Sequence, residues 1–423
     1  MADPSHLQTI HTWESVRQGS GLDWRNQPEV FKRYPPGFPA VDLDRLPEIR
    51  EFLHSCAGIT ARRTYPGGAY FLRVQPSAGA LYPCELYLQA RDLEGLADGI
   101  YHYEPLEQRL RLLHRLAAGE GIEAWTATPA PVRGALLLVS AISYRSSWKY
   151  GNRSFRYCLL DSGHLAGAVE AAAALHDRPF AIRTRLERDR IDAHFGFSPG
   201  ELTMALLCCG EPGKGTVRPP AMNLPEVDGC GGVAARNRFI EDHYRRTGIL
   251  SGCSPRTRRQ PYFLRGTDLA QAIGTRRSIR AFTGRTMRRS EYEALLRAAL
   301  LPVTTDCDEP VRLLAVVNRV DSLEPGIYDR LTCLRAGDLA GMAGYLCLEQ
   351  RLAADSGVTF FFLSQGRQYL PLMLKAGLMG QRIYLAATAL GLGCSGLGAF
   401  YDRETADFLD TEAMVLYAMA VGR

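Results

Sequence analysis

GHLAGAVEAAAAL, residues 163–175, and GLMGQRIYLAATAL, residues 377–390, are one element met twice. Each is an Ala- and Leu-rich run, which predicts a long helix. A continuous apolar run precedes each of them: ALLLVSAI (135–142) in the first half and VTFFFLSQ (358–365) in the second. Runs of this length predict buried strands. Further upstream, LADGIY (96–101) matches LEPGIY (323–328). Downstream, RLERDRIDAHFGF (185–197) corresponds to AFYDRETADFL (399–409). The chain therefore repeats itself once. The 423 residues exceed the usual size of one core, in keeping with two domains. Residues 214–262 are rich in Gly, Pro and Arg without periodicity, which is linker composition. The expected division is a domain at 1–213, a linker at 214–262, part of it packed on the domains, and a domain at 263–423. Each half alternates helical and strand patterns. The expected class is α+β, a central sheet flanked by helices in each half.

Composition excludes several function classes. Apolar residues make up 46% of the chain and the net charge is +5. A nucleic-acid binder would carry a stronger basic bias. The one dense basic stretch, RRTGILSGCSPRTRRQ (245–260), reads as a solvated linker, with docking of an acidic peptide as the alternative. Eleven cysteines without a C-x-x-C pair argue against a zinc site or a disulfide framework and for reduced thiols in a cytosol. MADPSHLQTI has no signal-peptide pattern, and no run reaches the length of a membrane span. The expected location is cytoplasmic.

The halves differ in what they keep. The second opens with GTRRSIRAF (274–282), where Arg276, Arg277, Ser278 and Arg280 can hold a phosphate and oppose negative charge. Taken alone, the cluster also reads as a solvated charge run. The second half also has GLGCSGLGAF (391–400), whose glycines let backbone N–H groups approach a ligand closely, or form a plain turn. The first half lacks both features. At the corresponding points it shows DWRNQPEVFKRY (23–34) and HDRPFAIRTRL (176–186). It has instead PSAGALYP (76–83), where the second half shows LLPVTTDCDEP (300–310). It also has WKYGNRSFRYCLLDSGHL (148–165) against QGRQYLPL (365–372). His164 reads as a packing or capping group, and Tyr101, His102 and Tyr103 as stacking residues.

These segments resemble the nitroreductase superfamily of flavin enzymes. RRSIRAF and GLGCSGLGAF are similar to its flavin-binding ends. PSAGALYP, GIYHY (99–103) and the 148–165 segment are similar to its SagB-type branch, the azoline dehydrogenases of peptide natural-product pathways. The resemblance spans nearly the whole chain as two degenerate copies. It implies two tandem nitroreductase-like domains forming an intramolecular pseudo-dimer, with one FMN per chain. Arg276, Arg277, Ser278 and Arg280 would bind the cofactor. So would Pro76, Ser77, Ala78 and Gly79, whose small side chains let N–H groups reach the isoalloxazine edge. Ser395, Gly396, Leu397 and Gly398 form the glycine loop, and Arg423 stands where a phosphate ligand is expected.

The resemblance also implies that Lys149 and Tyr150 are catalytic, a lysine–tyrosine pair taking the Cα proton while a hydride passes to flavin, which oxygen then reoxidises. The plain alternative is that Lys149 snorkels and Tyr150 packs. The implied substrate is a heterocycle in a peptide or a small molecule, with biosynthetic partner enzymes and a homodimer as further partners. Two other functions stay open: an NAD(P)H-dependent nitro-, quinone or ene reductase, and a non-catalytic scaffold that recruits a peptide.

Overall fold

A computed structural model describes residues 3–17, 21–65, 68–197, 200–247 and 255–423. The chain forms two units. The N-terminal unit comprises Leu22–Tyr262 and Val303–Asp308. The C-terminal unit comprises Met1–Gly21, Phe263–Pro302 and Glu309–Arg423.

The N-terminal unit holds β1 (Ala40–Asp42), β2 (Ile59–Tyr65), β3 (Gly68–Arg73), β4 (Cys84–Arg91), β5 (Gly99–Glu104), β6 (Arg109–Arg115), β7 (Val132–Ile142), β8 (Ala181–Arg183) and β9 (Glu201–Pro212). Seven of these form an antiparallel sheet in the order β1-β6-β5-β4-β7-β9-β8, and β2 pairs with β3 separately. Its main helices are α1 (Pro47–Ala57), α2 (Ser143–Tyr150) and α3 (Ser154–Leu175). The C-terminal unit holds β10 (Arg312–Val317), β11 (Gly326–Asp329), β12 (Thr332–Ala336), β13 (Val358–Ser364), β14 (Gly393–Leu397) and β15 (Met414–Gly422), ordered β12-β11-β10-β13-β15-β14. Its main helices are α4 (Gly266–Thr275), α5 (Arg289–Ala299) and α6 (Tyr369–Ala389).

The two sheets have one topology. Replacing β4 to β9 by β10 to β15 in chain order turns the first strand order into the second, with β1 as the single addition. The class is α+β, as expected. The apolar runs that mark the repeat become β7 and β13. Each lies inside its sheet, β7 between β4 and β9 and β13 between β10 and β15. Both are buried almost throughout, which is why their sequences are continuously apolar rather than alternating. The first Ala-rich run lies within α3 and the second within α6 except for its last residue, the C-cap Leu390; both helices are buried along most of their lengths. Apolar residues on every side of such a helix match burial on every side.

The described residues among 214–262 belong to the N-terminal unit. Met222 and Leu224 join its core. The Gly229 carbonyl accepts from the buried Arg145 guanidinium, and the Tyr244 hydroxyl donates to the Thr203 carbonyl. Part of the basic stretch, residues 248–254, lies outside the described residues. Residues 303–308 also pack with this unit. The Thr304 carbonyl accepts from Ile182 N–H, and the buried Asp306 carboxylate accepts from the backbone and hydroxyl of Thr184. The C-terminal unit gains residues 3–17, where the Asp402 carboxylate accepts from His11 N–H at 2.7 Å. Among the described residues no helix is long and apolar enough to cross a membrane.

Candidate functional site

In the N-terminal unit, the Pro–Ser loop connects β3 to β4 in a tightly specified shape. Gly79, Ala80 and Tyr82 all have left-handed φ, at 65°, 55° and 43°. Only glycine takes such a conformation freely; each non-glycine residue there costs on the order of 1–2 kcal/mol. Hydrogen bonds fix the shape. Ser77 Oγ donates to Asp161 Oδ2 at 2.6 Å and accepts from Tyr82 N–H at 2.9 Å. Ala78 N–H donates to the other Asp161 oxygen at 3.3 Å, and Ala80 N–H donates to the Ser77 carbonyl. Beneath the loop, Arg145 bonds the Tyr82 carbonyl and the buried Glu85 carboxylate. Glu85 lies at about 2: burial opposes its charge, and Arg145 and His102 overcome that.

The Lys149–Tyr150 pair ends α2 and meets this loop. A Cβ added to Gly79 would lie 2.6 Å from the Tyr150 hydroxyl, so the two segments touch where the loop has no side chain. The Lys149 ammonium lies 5.4 Å from the Tyr150 ring centroid, within cation–π range. The Tyr150 ring packs edge-on against Tyr157 of α3 at 4.9 Å. Lys149 and Gly79 are exposed, while Pro76, Ser77, Ala78 and Tyr150 are half-buried. The Lys149–Tyr150 pair and the backbone of the Pro–Ser loop thus share one partly open surface. Asp161 lies one turn beyond Tyr157 on α3. Burial pushes its carboxyl up to about 7, against the Ser77 and Ala78 bonds.

In the C-terminal unit, the Arg cluster and the glycine loop converge on Tyr384 of α6. Its phenol is 2.8 Å from Ser278 Oγ and accepts from Gly396 N–H at 2.6 Å. The buried Arg276 guanidinium lies 5.2 Å from its ring centroid. Burial pushes the phenol up to about 12, so it stays protonated at neutral pH. Ile279 N–H donates to the Cys394 carbonyl, tying the Arg cluster to β14. A Cβ on Gly396 would overlap the Tyr417 hydroxyl, so this close approach requires glycine. Ser395 and Leu397 are buried beside it, and Gly398 is half-buried.

Three of the expected cofactor residues are placed differently from Arg276 and Ser278. Arg277 turns back on the backbone, donating to the carbonyls of Arg276 and Gly274. Arg280 is exposed. Arg423 pairs with the buried Glu291 carboxylate, and its carbonyl accepts from Thr283. The same buried carboxylate also pairs with Arg288 at 2.7 Å, so Arg423 joins an ion-pair cluster of two guanidiniums on one carboxylate.

Sequence reading assigned no role to Tyr384 or Asp161. Each is a polar residue inside an Ala- and Leu-rich helix, and that interruption was the available signal. Tyr384→Phe should loosen β14 by about 1–2 kcal/mol, since it leaves the Gly396 N–H without its acceptor. Denaturant unfolding, with faster hydrogen exchange at Gly396, checks this.

The donors around Tyr384 are the Arg276 guanidinium and the Ser278 hydroxyl. That set suits the phosphate and carbonyl oxygens of a flavin nucleotide. The residues present therefore fit FMN.

The nitroreductase family model matches residues 273–423. A Methanocaldococcus jannaschii protein provisionally named a nitroreductase is 33% identical over 130 residues, covering 29% of this chain and 60% of the relative. The chain thus spans less than two thirds of that relative's length. The crystal structure of an Anabaena variabilis protein, also provisionally named a nitroreductase, superposes with a TM-score of 0.81. It is 25% identical and covers 99% of this chain and 98% of its own. The chain has the nitroreductase fold over its whole length and carries a nitroreductase family domain over residues 273–423.

Proposed function

We propose that the protein is an FMN-dependent dehydrogenase that oxidises an azoline-type heterocycle, in a peptide or an amino-acid-derived product, to the azole. The observation that carries this reading is the contact of Tyr150 with the Pro–Ser loop at Gly79, with the Lys149 ammonium over the Tyr150 ring. A reductase fed by NAD(P)H needs no protein base beside its substrate carbon. A dehydrogenase does, and Lys149–Tyr150 supplies one at a half-exposed surface.

When bound, FMN supplies a two-electron acceptor. Within the C-terminal unit, Arg276 and Ser278 would hold it, with the β14 segment Ser395–Gly398 beside them. Within the N-terminal unit, the small residues Ala78 and Gly79 leave the backbone of the Pro–Ser loop open to a ligand. Arg276 brings positive charge where reduction builds negative charge. Tyr150 would act as the phenolate, its own proton given up to solvent and its charge opposed by the Lys149 ammonium, and its oxygen would take the Cα proton. Tyr157 holds the Tyr150 ring in place. Biosynthetic partner enzymes and a cytoplasmic location belong to the same reading.

Each chain should bind one FMN, because the Arg cluster and glycine loop occur only in the second half and the Pro–Ser loop and Lys–Tyr pair only in the first. Flavin released on denaturation, counted per chain by absorbance, measures this. Two flavins per chain would overturn it. Anaerobic bleaching of the bound flavin by an azoline peptide, but not by NADPH, is the result expected for the function itself. Bleaching by NADPH alone would favour the reductase.

A further inference from the structure

We infer that Asp161 is a positioning residue that sets where the Ser77 hydroxyl hydrogen points, turned inward when Asp161 is ionised and released toward a ligand when it is protonated. This rests on the flavin reading for the identity of the ligand, and on the loop geometry for the switch itself.

The Ser77 oxygen has two fixed partners, Tyr82 N–H at 2.9 Å and Asp161 Oδ2 at 2.6 Å. Tyr82 N–H can only donate, so it always occupies one lone pair of Ser77 Oγ. The second contact can run either way. An ionised Asp161 has no hydrogen to offer, so Ser77 must donate to it. A protonated Asp161 donates its own hydrogen to Ser77 Oγ, which then accepts from both neighbours. The Ser77 hydrogen has no role in the loop in that state. Ser77 is half-buried, and its hydroxyl hydrogen, no longer bound by Asp161, can then turn to another acceptor. Ala78 N–H, on the other carboxyl oxygen, is satisfied in both states.

The surroundings keep both protonation states within reach. Among the described residues no cation is paired with Asp161. The titratable groups facing it are the thiols of Cys158 on α3 and Cys84 on β4. Both are buried and raised, Cys158 to about 12, so both stay neutral near neutral pH. Arg73 acts on Cys84 and Glu85 from the β3 side. Burial of Asp161 favours its neutral form and raises it to about 7. A carboxyl raised in the fold lends stability below its ordinary range, and that stability is lost as pH rises through the folded value.

The test uses the full chain, with Asp161→Asn and Ser77→Ala as variants. In Asp161→Asn the side-chain NH2 can donate to Ser77 and the carbonyl can accept from Ala78, which imitates the protonated acid. Unfolding midpoints are measured without ligand from about pH 5 to about pH 9. The wild-type midpoint should fall with rising pH up to about 7 and level off above it, and Asp161→Asn should lack that component. Ser77→Ala should move the fall upward, because the Ser77 bond favours the ionised form. FMN affinity, followed by fluorescence over the same range, should weaken about threefold to tenfold in the wild type relative to Ser77→Ala as Asp161 ionises, the worth of one hydrogen bond. Asp161→Asn should hold the tighter value throughout. Ser77→Ala shares every other titration of protein and ligand, so the difference isolates the hydroxyl.

Parallel midpoint profiles for wild type and Asp161→Asn would overturn the inference. So would a wild-type affinity profile that survives in Ser77→Ala. Should Asp161→Asn not fold, an unshifted Ser77→Ala midpoint profile overturns it equally. No FMN binding in any variant at any pH would overturn both the flavin reading and the ligand half of the inference, while the ligand-free midpoints still decide whether Asp161 titrates.

Discussion

Lys149→Ala is expected to retain FMN and to slow substrate oxidation by about a hundredfold to ten-thousandfold, the usual contribution of a general acid–base group. The separation of the two effects follows from where Lys149 stands. It is the penultimate residue of α2, exposed, and near the Tyr150 ring. The Arg276–Ser278–Gly396 cluster belongs to other elements, α4, its exit and β14. Removing the ammonium therefore leaves the proposed cofactor donors as they are. Tyr150→Phe sharpens the assignment. It keeps the ring that packs on Tyr157 and deletes the hydroxyl that reaches Gly79. If Tyr150 carries the proton, its loss should be at least as large as that of Lys149→Ala. Stopped-flow bleaching under anaerobic conditions reads the reductive step without the reoxidation by oxygen. Wild-type bleaching rates in both variants would leave the pair with a packing role only and would remove the main support for azoline oxidation.

The legibility of this chain was uneven, for physical reasons. β7 and β13 were readable because a strand buried on both faces must be apolar at every position, and α3 and α6 because helices buried on all sides are apolar all round. β1 was not readable. Its three residues carry no periodic signal and are defined only by pairing with β6. Nor could sequence show that residues 303–308 pack along β8, because that depends on the Asp306 carboxylate meeting Thr184 across more than a hundred residues.

The site divides in the same way. Glycine positions announced a close approach to a ligand; what meets them in the fold is a side chain, the Tyr150 hydroxyl at Gly79 and the Tyr417 hydroxyl at Gly396. The partners that organise the two loops, Asp161 and Tyr384, were hidden because each is one of several polar groups in a largely apolar helix. Without coordinates such a group cannot be told from a satisfied core residue. Arg276 and Arg423 looked alike as charges. The carboxylate of Glu291, on α5, is what distinguishes them.

Arg276→Ala is expected to weaken FMN binding by about tenfold to 150-fold, the worth of a hydrogen bond to a charged group at roughly 1.5–3 kcal/mol. Arg276 is the C-cap of α4: its N–H donates to the Ala272 carbonyl, and its guanidinium is buried near the Tyr384 ring. A guanidinium so placed has already lost its hydration and most of its rotamer freedom, so an anionic or carbonyl ligand gains the contact at little further cost. Arg63, exposed on β2, is the matched control. Arg63→Ala removes the same charge from the chain, and any fall it causes measures the long-range field alone, which salt screens within about 10 Å. Arg276→Lys adds a second test. It keeps the charge but loses the planar fork, so intermediate affinity is expected if two donors reach the ligand at once. Isothermal titration of the flavin-free protein with FMN measures all three. Equal losses for Arg276→Ala and Arg63→Ala would mean that the buried guanidinium serves the Tyr384 cluster and not the cofactor.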